Sequence, residues 1–433
     1  MKQRAPQTTA DRDIIDTMAK AGPQTTGPQG RGKPKSICLF GLFGMDNYGN
    51  DGSLEAMLAF LRSTWPDANY TCICLDPAKV REVHGIQTMP ISWPGFKNRV
   101  LRVCDKATGT ALRKLVNWGM AVNRIRKFDV LIVPGTSTLC DYRASPFGAP
   151  YALFRWAAAA RWCGTRLCFV STGAGPIIRP LSRAMLVFAA KSAFYRSFRD
   201  TVSRDYMTGV GVDTRKDVVY PDLAFKLPVP PANGRPGKRG VTIGLGVMDY
   251  NGWHGHAMPD AAIYTTYLMK LVALATALLD QGYTIRLLVG ESADTRAVAD
   301  LVTLLQGRGS VGDGPEVNQR IITEPVASLH DLMRQMAETD VVVASRYHNV
   351  ICALRLAKPV LSLGYEAKHD AVMADFGLGE FCHHIERFEV PPLLQQVDLL
   401  LRNSDEYRAL IGRRLVTIEQ RLQDQEQRLV EVL

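Results

Sequence analysis

The sequence predicts an α/β protein with two doubly wound, Rossmann-like domains that face each other across a cleft. Strand-like apolar runs alternate with helical segments twice along the chain, first over residues 36–228 and again over residues 241–402. Residues 229–240 are dense in proline and glycine and are typical of a linker. This alternation indicates parallel sheets with helices on both faces. A chain of 433 residues is long enough for two such domains.

Both series contain clear strand and helix patterns. In the first domain we predict strands over residues 36–43, 70–75, 130–133 and 166–170, and helices from about Ser53, over 151–163 and over 181–194. In the second domain we predict strands over residues 241–248, 284–289, 320–323, 341–344 and 359–363, and helices over 264–279 and 329–337. Residues 403–433 have helical spacing, with Asn403 and Glu406 as a candidate capping box.

Several features exclude other classes of protein. Residues 1–35 are polar, lack the apolar core of a signal peptide and are predicted to be a flexible tail. No stretch approaches the roughly 20 uninterrupted apolar residues of a membrane span. Nine scattered cysteines without paired spacing favour reduced thiols in a cytoplasmic protein and disfavour a zinc site. His254 and His256 are two positions apart and could contact a metal ion, but no third ligand lies nearby, which disfavours a metal site. Trp253 beside them could stack on a sugar or pack in a core.

The most informative stretch is residues 341–365, where an apolar run ends abruptly in Ser345, Arg346, Tyr347 and His348. Such a corner lies at the carboxyl end of a parallel strand, where open α/β sheets bind ligands. We predict that Ser345 caps the following helix, whose N-terminal amides favour an anion. Arg346 suits a phosphate or carboxylate, and His348 can move a proton near neutral pH. Alternatively, Arg346 pairs with a carboxylate and His348 is a hydrogen-bonded residue of the helix start.

Three other loops follow predicted strands and belong to the same edge. Residues 41–52 form a loop rich in glycine and asparagine before a helix, an arrangement that suits either a phosphate or sugar ligand or a plain tight turn. Residues 134–141 and 171–177 are loops of small residues after later strands. Arg199 beside Asp200 either forms an internal ion pair or points into the cleft.

The chain is basic, with a formal net charge of +10 and a sequence pI of about 9.1, which favours anionic partners. Residues 95–127 hold nine basic residues against Asp105 alone, interleaved with apolar side chains. Such a segment either lies on an anionic membrane surface or forms a solvated helix face over the core. Nucleic acid is disfavoured, because no recognised binding motif accompanies the charge.

Residues 345–378, SRYHNVICALRLAKPVLSLGYEAKHDAVMADFGL, resemble the Ser-Arg-x-His signature of the polysaccharide pyruvyl transferases. Pro359, Val360, Tyr365 and Lys368 stand at the family's positions. SFRDTVS (residues 197–203) resembles the family's Ser-x-Arg-Asp-x-x-Ser motif, and YPDLAF (residues 220–225) its Pro-Asp element. The loop GMDNYGNDG resembles the opening loop of the family, except that the usual aspartate after its second glycine is displaced by one position. The resemblance covers about residues 38–380.

The resemblance implies a fold like that of the GT-B glycosyltransferases and transfer of pyruvate from phosphoenolpyruvate onto two sugar hydroxyls as a cyclic ketal. It implies His348 as the general acid that protonates the methylene carbon and Arg346 as the anion clamp. The candidate bases for the sugar hydroxyl are Asp51 and Glu291. Further candidates for binding the substrates are Ser345, Arg199, Lys368, Gly44, Asn47 and Tyr365. Neither a metal nor a cofactor is required, since phosphoenolpyruvate is the donor substrate.

The family's acceptors are often lipid-linked glycans, which would give residues 95–127 a purpose at the inner face of the plasma membrane. The first domain is then expected to hold the acceptor and the second to hold phosphoenolpyruvate. Two other functions stay open: a GT-B glycosyltransferase that uses a nucleotide sugar, and a non-catalytic glycan-binding homologue. The presence of Arg346 and His348 disfavours the second of these.

Overall fold

The computed structural model describes residues 34–141, 145–231, 240–252, 260–307 and 319–433. The predicted N-terminal tail, apart from its last two residues, lies outside these ranges, as does most of the predicted linker. Trp253, His254 and His256 also lie outside the described residues. Within the described ranges, no group of three or more His, Cys, Asp or Glu side chains could hold a metal ion.

The first domain is a seven-stranded parallel sheet in the order β3-β2-β1-β4-β5-β6-β7. Its strands are β1 (Ser36–Phe40), β2 (Asn69–Cys74), β3 (Gln87–Pro90), β4 (Val130–Pro134), β5 (Arg166–Thr172), β6 (Tyr195–Phe198) and β7 (Val218–Val219). Its helices are α1 (Tyr48–Thr64), α2 (Pro77–His84), α3 (Arg99–Ala107), α4 (Ala111–Ile125), α5 (Ala149–Cys163), α6 (Pro180–Lys191) and α7 (Thr201–Gly209). A short 3-10 helix, Leu223–Lys226, follows β7.

The second domain is a six-stranded parallel sheet in the order β10-β9-β8-β11-β12-β13. Its strands are β8 (Thr242–Val247), β9 (Thr284–Val289), β10 (Ile321–Thr323), β11 (Val341–Ala344), β12 (Val360–Gly364) and β13 (Cys382–His384). Its helices are α8 (Ala261–Asp280), α9 (Thr295–Gly307), α10 (Leu329–Ala337), α11 (Tyr347–Arg355), α12 (Ala367–Asp375), α13 (Val390–Arg402) and α14 (Ser404–Val432). Both sheets contain the Rossmann strand order 3-2-1-4-5-6, which confirms the predicted fold class.

Helix α1 begins at Tyr48, five positions before the predicted start at Ser53. The side chain of Asn47 accepts a hydrogen bond from the backbone N–H of Asn50 and so caps the helix. The last part of the glycine-rich loop, residues 48–52, therefore belongs to the start of the helix. The prediction placed the start too late because Gly49 and Gly52 have low helix propensity, although both are buried against other parts of the protein.

Two predicted helix caps are wrong. The residue at the N-cap of α11 is Arg346, without a side-chain cap, because Ser345 instead donates to the carbonyl oxygen of Gly246 in the neighbouring strand β8. Asn403 does not form a capping box with Glu406, because its amide donates back to the carbonyl oxygen of Leu399 at the end of α13. Helices α13 and α14 are separated by Asn403 alone, which leaves no extended segment for such a cap.

The two domains share apolar packing and are also tied together by α14. Phe225 at the end of the first domain stacks on Phe376 of the second, with ring centroids 5.6 Å apart. Helix α14 follows the second domain and ends on the first, where Gln425 is buried and bonded to Ser171 and Ser197. The carboxyl edges of the two sheets are thereby held facing each other.

Helix α8 is the one helix of the described ranges that is long and apolar enough to cross a membrane. Half of its most apolar window is buried inside the protein, and Leu271, Leu274 and Leu278 are inaccessible to solvent. This packing is that of a core helix, as its apolar pattern predicted. All nine cysteines are free, and most of them are buried.

Candidate active site

A cavity of about 330 Å³ lies between the carboxyl edges of the two sheets. Its walls come from the loops after β1, β4 and β6 of the first domain and after β8, β9, β11 and β12 of the second. Seven of the residues predicted for the site line this cavity: Asn47, Arg199, Glu291, Arg346, His348, Tyr365 and Lys368. These residues, predicted at the ends of different strands, thus lie together in one cleft.

Arg346 is held by two carboxylates. Its Nε and Nη2 donate to the two oxygens of Asp294 at 2.9 and 2.6 Å, and its Nη1 lies 2.8 Å from Oε2 of Glu291. Burial acts to lower the pKa of Arg346, but the carboxylates, Asp294 foremost, raise it above its ordinary value. The geometry therefore shows the alternative in which Arg346 pairs with a carboxylate. These contacts hold the guanidinium rigidly at the cavity wall.

His348 lies in the first turn of α11 and packs against α1. A Cβ atom on Gly49 would lie 1.9 Å from its Nδ1, so only glycine leaves room for the ring. Among the described residues, Nε2 of His348 has no hydrogen-bond partner, and the nearest charged oxygen is Oδ2 of Asp222 at 3.8 Å. Burial lowers the pKa of His348 to about 4, which Asp222 opposes. The imidazole is therefore neutral at pH 7.

Arg199 follows β6. It forms ion pairs and also lines the cavity, so the two alternatives given for it, an internal ion pair and a position in the cleft, both hold. Its Nη2 donates to Oγ of Ser137 at 2.5 Å, while carboxylate oxygens of Asp222 and Asp200 lie 3.4 and 3.5 Å from its other nitrogens. The guanidinium stacks 4.8 Å from the ring centroid of Tyr347. A Cβ atom on Gly173 would lie 2.6 Å from Arg199, so this glycine gives the guanidinium its place.

Lys368 also lies beside the ring of Tyr347. Its Nζ is 5.5 Å from the ring centroid of Tyr347 and 5.4 Å from that of Tyr365. It also pairs with Oε2 of Glu366 at 2.5 Å. Lys368 and Arg199 therefore place two cations beside the buried ring of Tyr347, a favourable cation–π arrangement.

The residues predicted around the β1–α1 loop do not all reach the cavity. Asn47 does, and its Nδ2 lies 3.5 Å from Oε2 of Glu291 across the cleft. Asp51 instead accepts from the backbone N–H of Gly44 at 2.8 Å, and both line a separate, smaller pocket beside Lys79. Ser345 lies behind the cavity wall, fully buried. Of the two candidate bases, Glu291 is thus the one that lines the cavity together with His348 and Arg346.

A sequence profile of the polysaccharide pyruvyl transferases matches residues 47–367, which is well over half of the chain. The chain belongs to the polysaccharide pyruvyl transferase family. The matched region begins at the cap of α1 and ends just beyond Tyr365, so it contains most of the residues that line the cavity, with Leu42 and Lys368 just outside it. The comparison with curated protein sequences gave no match.

Solved structures of a glycosyltransferase and of UDP-GlcNAc 2-epimerases share the fold of this family member. A glycosyltransferase from Rickettsia africae superposes with a TM-score of 0.58 at 12% identity, covering 92% of this chain and 97% of that one. A UDP-GlcNAc 2-epimerase from Methanocaldococcus jannaschii gives 0.54 at 13% identity, covering 84% and 92%. A UDP-GlcNAc 2-epimerase from Neisseria meningitidis bound to UDP-GlcNAc gives 0.51 at 13% identity, covering 90% and 99%. At such identity the likeness shows the fold alone.

Two carboxylates of this pyruvyl transferase family site were not predicted. Asp294, fully buried, holds Arg346, and Asp222, also buried, lies between Arg199 and His348. Asp222 belongs to the Pro-Asp element noted in the sequence, but nothing in that element indicated which side chains it would contact. Asp294 lies three residues after Glu291 at the end of β9, and this spacing from a candidate site residue is the signal that could have indicated it.

The neutral histidines of the site predict acid sensitivity. Burial lowers the pKa of His348 to about 4 and that of His369, packed against Tyr365, to about 3. The unfolded chain, in which a histidine has a pKa near 6.5, binds protons more readily below that pH. The free energy of unfolding should therefore fall as the pH drops from about 6.5, by roughly 2 kcal/mol for each histidine at pH 5.

Urea unfolding at pH 7 and pH 5, on the wild type and on His348→Asn, measures this effect. The variant should lose roughly 2 kcal/mol less than the wild type between the two pH values. Equal losses in the two proteins would show that His348 is not held neutral in the folded state.

Proposed function

We propose that this protein transfers pyruvate from phosphoenolpyruvate onto a sugar of a glycan acceptor as a cyclic ketal. The observation that carries this function is the position of His348, a neutral and unpartnered imidazole among the described residues, beside a cavity bordered by Arg199, Arg346 and Lys368. A proton donor among cations suits a substrate that carries a phosphate, a carboxylate and a carbon to be protonated.

The reaction balances with the groups of this cleft. A sugar hydroxyl adds to the central carbon of phosphoenolpyruvate while His348 delivers a proton to the methylene carbon, which becomes a methyl group. The bond from the central carbon to the phosphate oxygen then breaks, and a second hydroxyl of the same sugar forms the second C–O bond of the ketal. The two hydroxyl protons are accounted for by the new methyl group and by the inorganic phosphate that leaves.

Glu291 is the base in this scheme. Burial raises its pKa, which Arg346 opposes and Asp294 reinforces, so the carboxylate is a better proton acceptor than an exposed glutamate. Arg346 fixes its position through the contact at 2.8 Å. Arg346 thus serves the reaction chiefly by placing Glu291.

Donor binding would prepare His348 for its role as the acid. In the structure, burial holds the pKa of His348 at about 4. The negative charges of phosphoenolpyruvate favour the imidazolium and raise this pKa. His348 would therefore take up its proton when the donor enters the cavity, and no metal or cofactor is needed for this step.

Thermal unfolding tests the choice of donor, with phosphoenolpyruvate and UDP-GlcNAc added separately. A ligand at 100 times its dissociation constant stabilises the native state by about 2.7 kcal/mol, which shifts Tm by several degrees. We expect a shift with phosphoenolpyruvate alone. A shift with UDP-GlcNAc alone would instead assign a nucleotide-sugar glycosyltransferase on the shared fold.

We also propose that α3 and α4 dock the protein on an anionic membrane surface, where a lipid-linked acceptor would be presented. Asp105 is the one buried residue of α3, and it accepts from the backbone N–H of Arg113 at 2.8 Å. The apolar residues point outward instead: Val100, Val103 and Leu115 are 69%, 60% and 71% exposed. A solvated helix face has the reverse arrangement, with its apolar residues inside.

The charges of this surface complement anionic lipid. Exposed basic side chains on and around α3 alternate with the exposed apolar ones: Lys97, Arg99, Arg102 and Lys106. Apolar side chains that insert at the headgroup boundary and cations that contact anionic headgroups are the two contributions that hold interfacial helices. A bilayer rich in anionic lipid fits both the apolar and the basic side chains of this surface.

Cosedimentation with vesicles tests this docking. We expect the wild type to bind vesicles of equal parts phosphatidylglycerol and phosphatidylcholine and not vesicles of phosphatidylcholine alone. Replacing Lys97, Arg102 and Lys106 with glutamine should weaken binding by about 100-fold, since each basic residue contributes about 1 kcal/mol near the surface. The matched control replaces Arg402, Arg413 and Arg414, exposed on α13 and α14, and should bind as the wild type does. Binding of the α3 variant at wild-type strength would contradict the docking surface.

A further inference from the structure

The two ends of the cavity differ in chemistry. At one end, Arg346 is held by Asp294 and Glu291, and Asp249 of the wall is paired with Arg296 at 2.6 Å. At the other end stand Arg199 and the loop of residues 136–138, with Lys368 beside the ring of Tyr347. Carboxylates therefore accompany the cations in both parts of the cavity, and the hydroxyl groups of residues 136–138 are what distinguishes the part around Arg199.

The loop of residues 136–138 holds two buried hydroxyl groups without a hydrogen-bond partner among the described residues. Oγ1 of Thr136 and Oγ1 of Thr138 are buried, and neither has a hydrogen-bond partner among the described residues. Both residues line the cavity, and Thr136 is only 3% exposed. A buried hydroxyl without a partner is costly, typically by about 1–3 kcal/mol, so two in one loop beside a cavity indicate a ligand with acceptor oxygens.

The loop is held in place by other parts of the first domain. Gly135 has a φ of 54° and packs so closely on α1 that a Cβ atom would lie 2.7 Å from Ser53. The backbone N–H of Gly173 donates to the carbonyl oxygen of Thr136, and that of Leu139 donates to the carbonyl oxygen of Gly173. The threonine hydroxyls are thus positioned by α1 and by the end of β5 before any ligand arrives, which lowers the entropy lost on binding.

Arg199 completes the anion site next to this loop. Its Nη2 donates to Oγ of Ser137, the residue between the two threonines. Its carboxylate contacts, at 3.4 and 3.5 Å, are longer than the 2.6–2.9 Å contacts of Arg346. These two contacts of Arg199 are therefore weaker ion pairs than those of Arg346.

We infer that the first domain holds the anionic donor, with a phosphate or carboxylate group bound by Arg199 and the hydroxyls of Thr136 and Thr138. Lys368, which is paired with Glu366, adds positive charge beside this site, and the acceptor hydroxyls meet Glu291 and Asn47 at the opposite end. This arrangement reverses the sequence-based expectation that the second domain is the phosphoenolpyruvate side. It rests on the proposed function, since it names which end of that cavity takes which substrate.

The test uses Thr136→Val and Thr138→Val, which remove the hydroxyls and keep the side-chain shape. Calorimetric titration with phosphoenolpyruvate should show affinity lower by about tenfold or more in each variant, because a hydrogen bond to a charged group is lost. Thermal unfolding without ligand should show Tm unchanged or raised, since an unpartnered buried hydroxyl has been removed. The matched control is Thr242→Val, a buried threonine of β8 outside the cavity wall, which should bind phosphoenolpyruvate as the wild type does.

Two outcomes separate this inference from the proposed function. If the wild type binds phosphoenolpyruvate and both threonine variants bind it equally well, the donor does not lie at the loop of residues 136–138 and the inference is overturned alone. If the wild type binds no phosphoenolpyruvate, the proposed function fails and the inference fails with it.

Discussion

Replacing His348 with asparagine is expected to slow pyruvyl transfer by about 10²–10⁴-fold, the range for loss of a general acid. Asparagine can fill part of the space against Gly49, but it cannot deliver a proton to carbon. The measurement is the initial rate of phosphate release from phosphoenolpyruvate in the presence of a glycan acceptor. Thermal unfolding should show that the variant still binds the donor, because Arg199 and Lys368 are intact.

The control for this prediction is His384→Asn. His384 is exposed at the end of β13 and does not line the cavity, so its replacement should leave the rate unchanged. A His348→Asn protein that retained the wild-type rate would remove His348 from the reaction. Water or another side chain would then have to supply the proton.

Replacing Gly49 with alanine is the second change with a large expected effect. The added Cβ atom would lie 1.9 Å from Nδ1 of His348, a distance that no unbonded pair of atoms tolerates. The ring must leave its position or α1 must move away from α11, and either change costs roughly 1–3 kcal/mol. We expect the free energy of unfolding to fall by that amount and kcat to fall by about 100-fold or more.

Gly119→Ala is the matched control, because Gly119 also lies within a helix, α4, but no atom lies within 4 Å of its added Cβ. This change should raise the free energy of unfolding by about 0.5–1 kcal/mol, the usual difference between alanine and glycine in a helix. Urea unfolding and the rate of phosphate release measure both variants. Full activity in Gly49→Ala would show that His348 does not depend on its contact with α1.

The parts of the fold visible in the sequence are those with long apolar runs. Strands β4, β8, β9 and β11 are almost fully buried, and their continuous apolar segments predicted them. The short edge strands β3 and β13 escaped prediction, because three or four residues with polar members give no period to recognise. The number of strands in each sheet therefore could not be predicted from the sequence alone, because it depends on tertiary pairing, whereas the fold class could.

The residues of the candidate site likewise were only partly predictable from the sequence. Arg346 and His348 were identifiable because they directly follow an apolar strand, where ligand-binding residues concentrate. Their partners were not, since Asp294 and Asp222 reach them across 52 and 126 positions of sequence. The outward-facing apolar residues of α3 were equally hidden, because composition records that a segment is basic and apolar without recording which residues face solvent.

Calorimetric titration of phosphoenolpyruvate at pH 7, in two buffers of different ionisation enthalpy, tests the proposed mechanism most directly. The neutral His348 of the structure should be protonated when the donor binds. The wild type should therefore bind phosphoenolpyruvate with net uptake of protons, and His348→Asn should bind it with less uptake. A wild type that binds UDP-GlcNAc but no phosphoenolpyruvate would contradict the pyruvyl transferase mechanism, and binding without proton uptake would remove His348 as its acid.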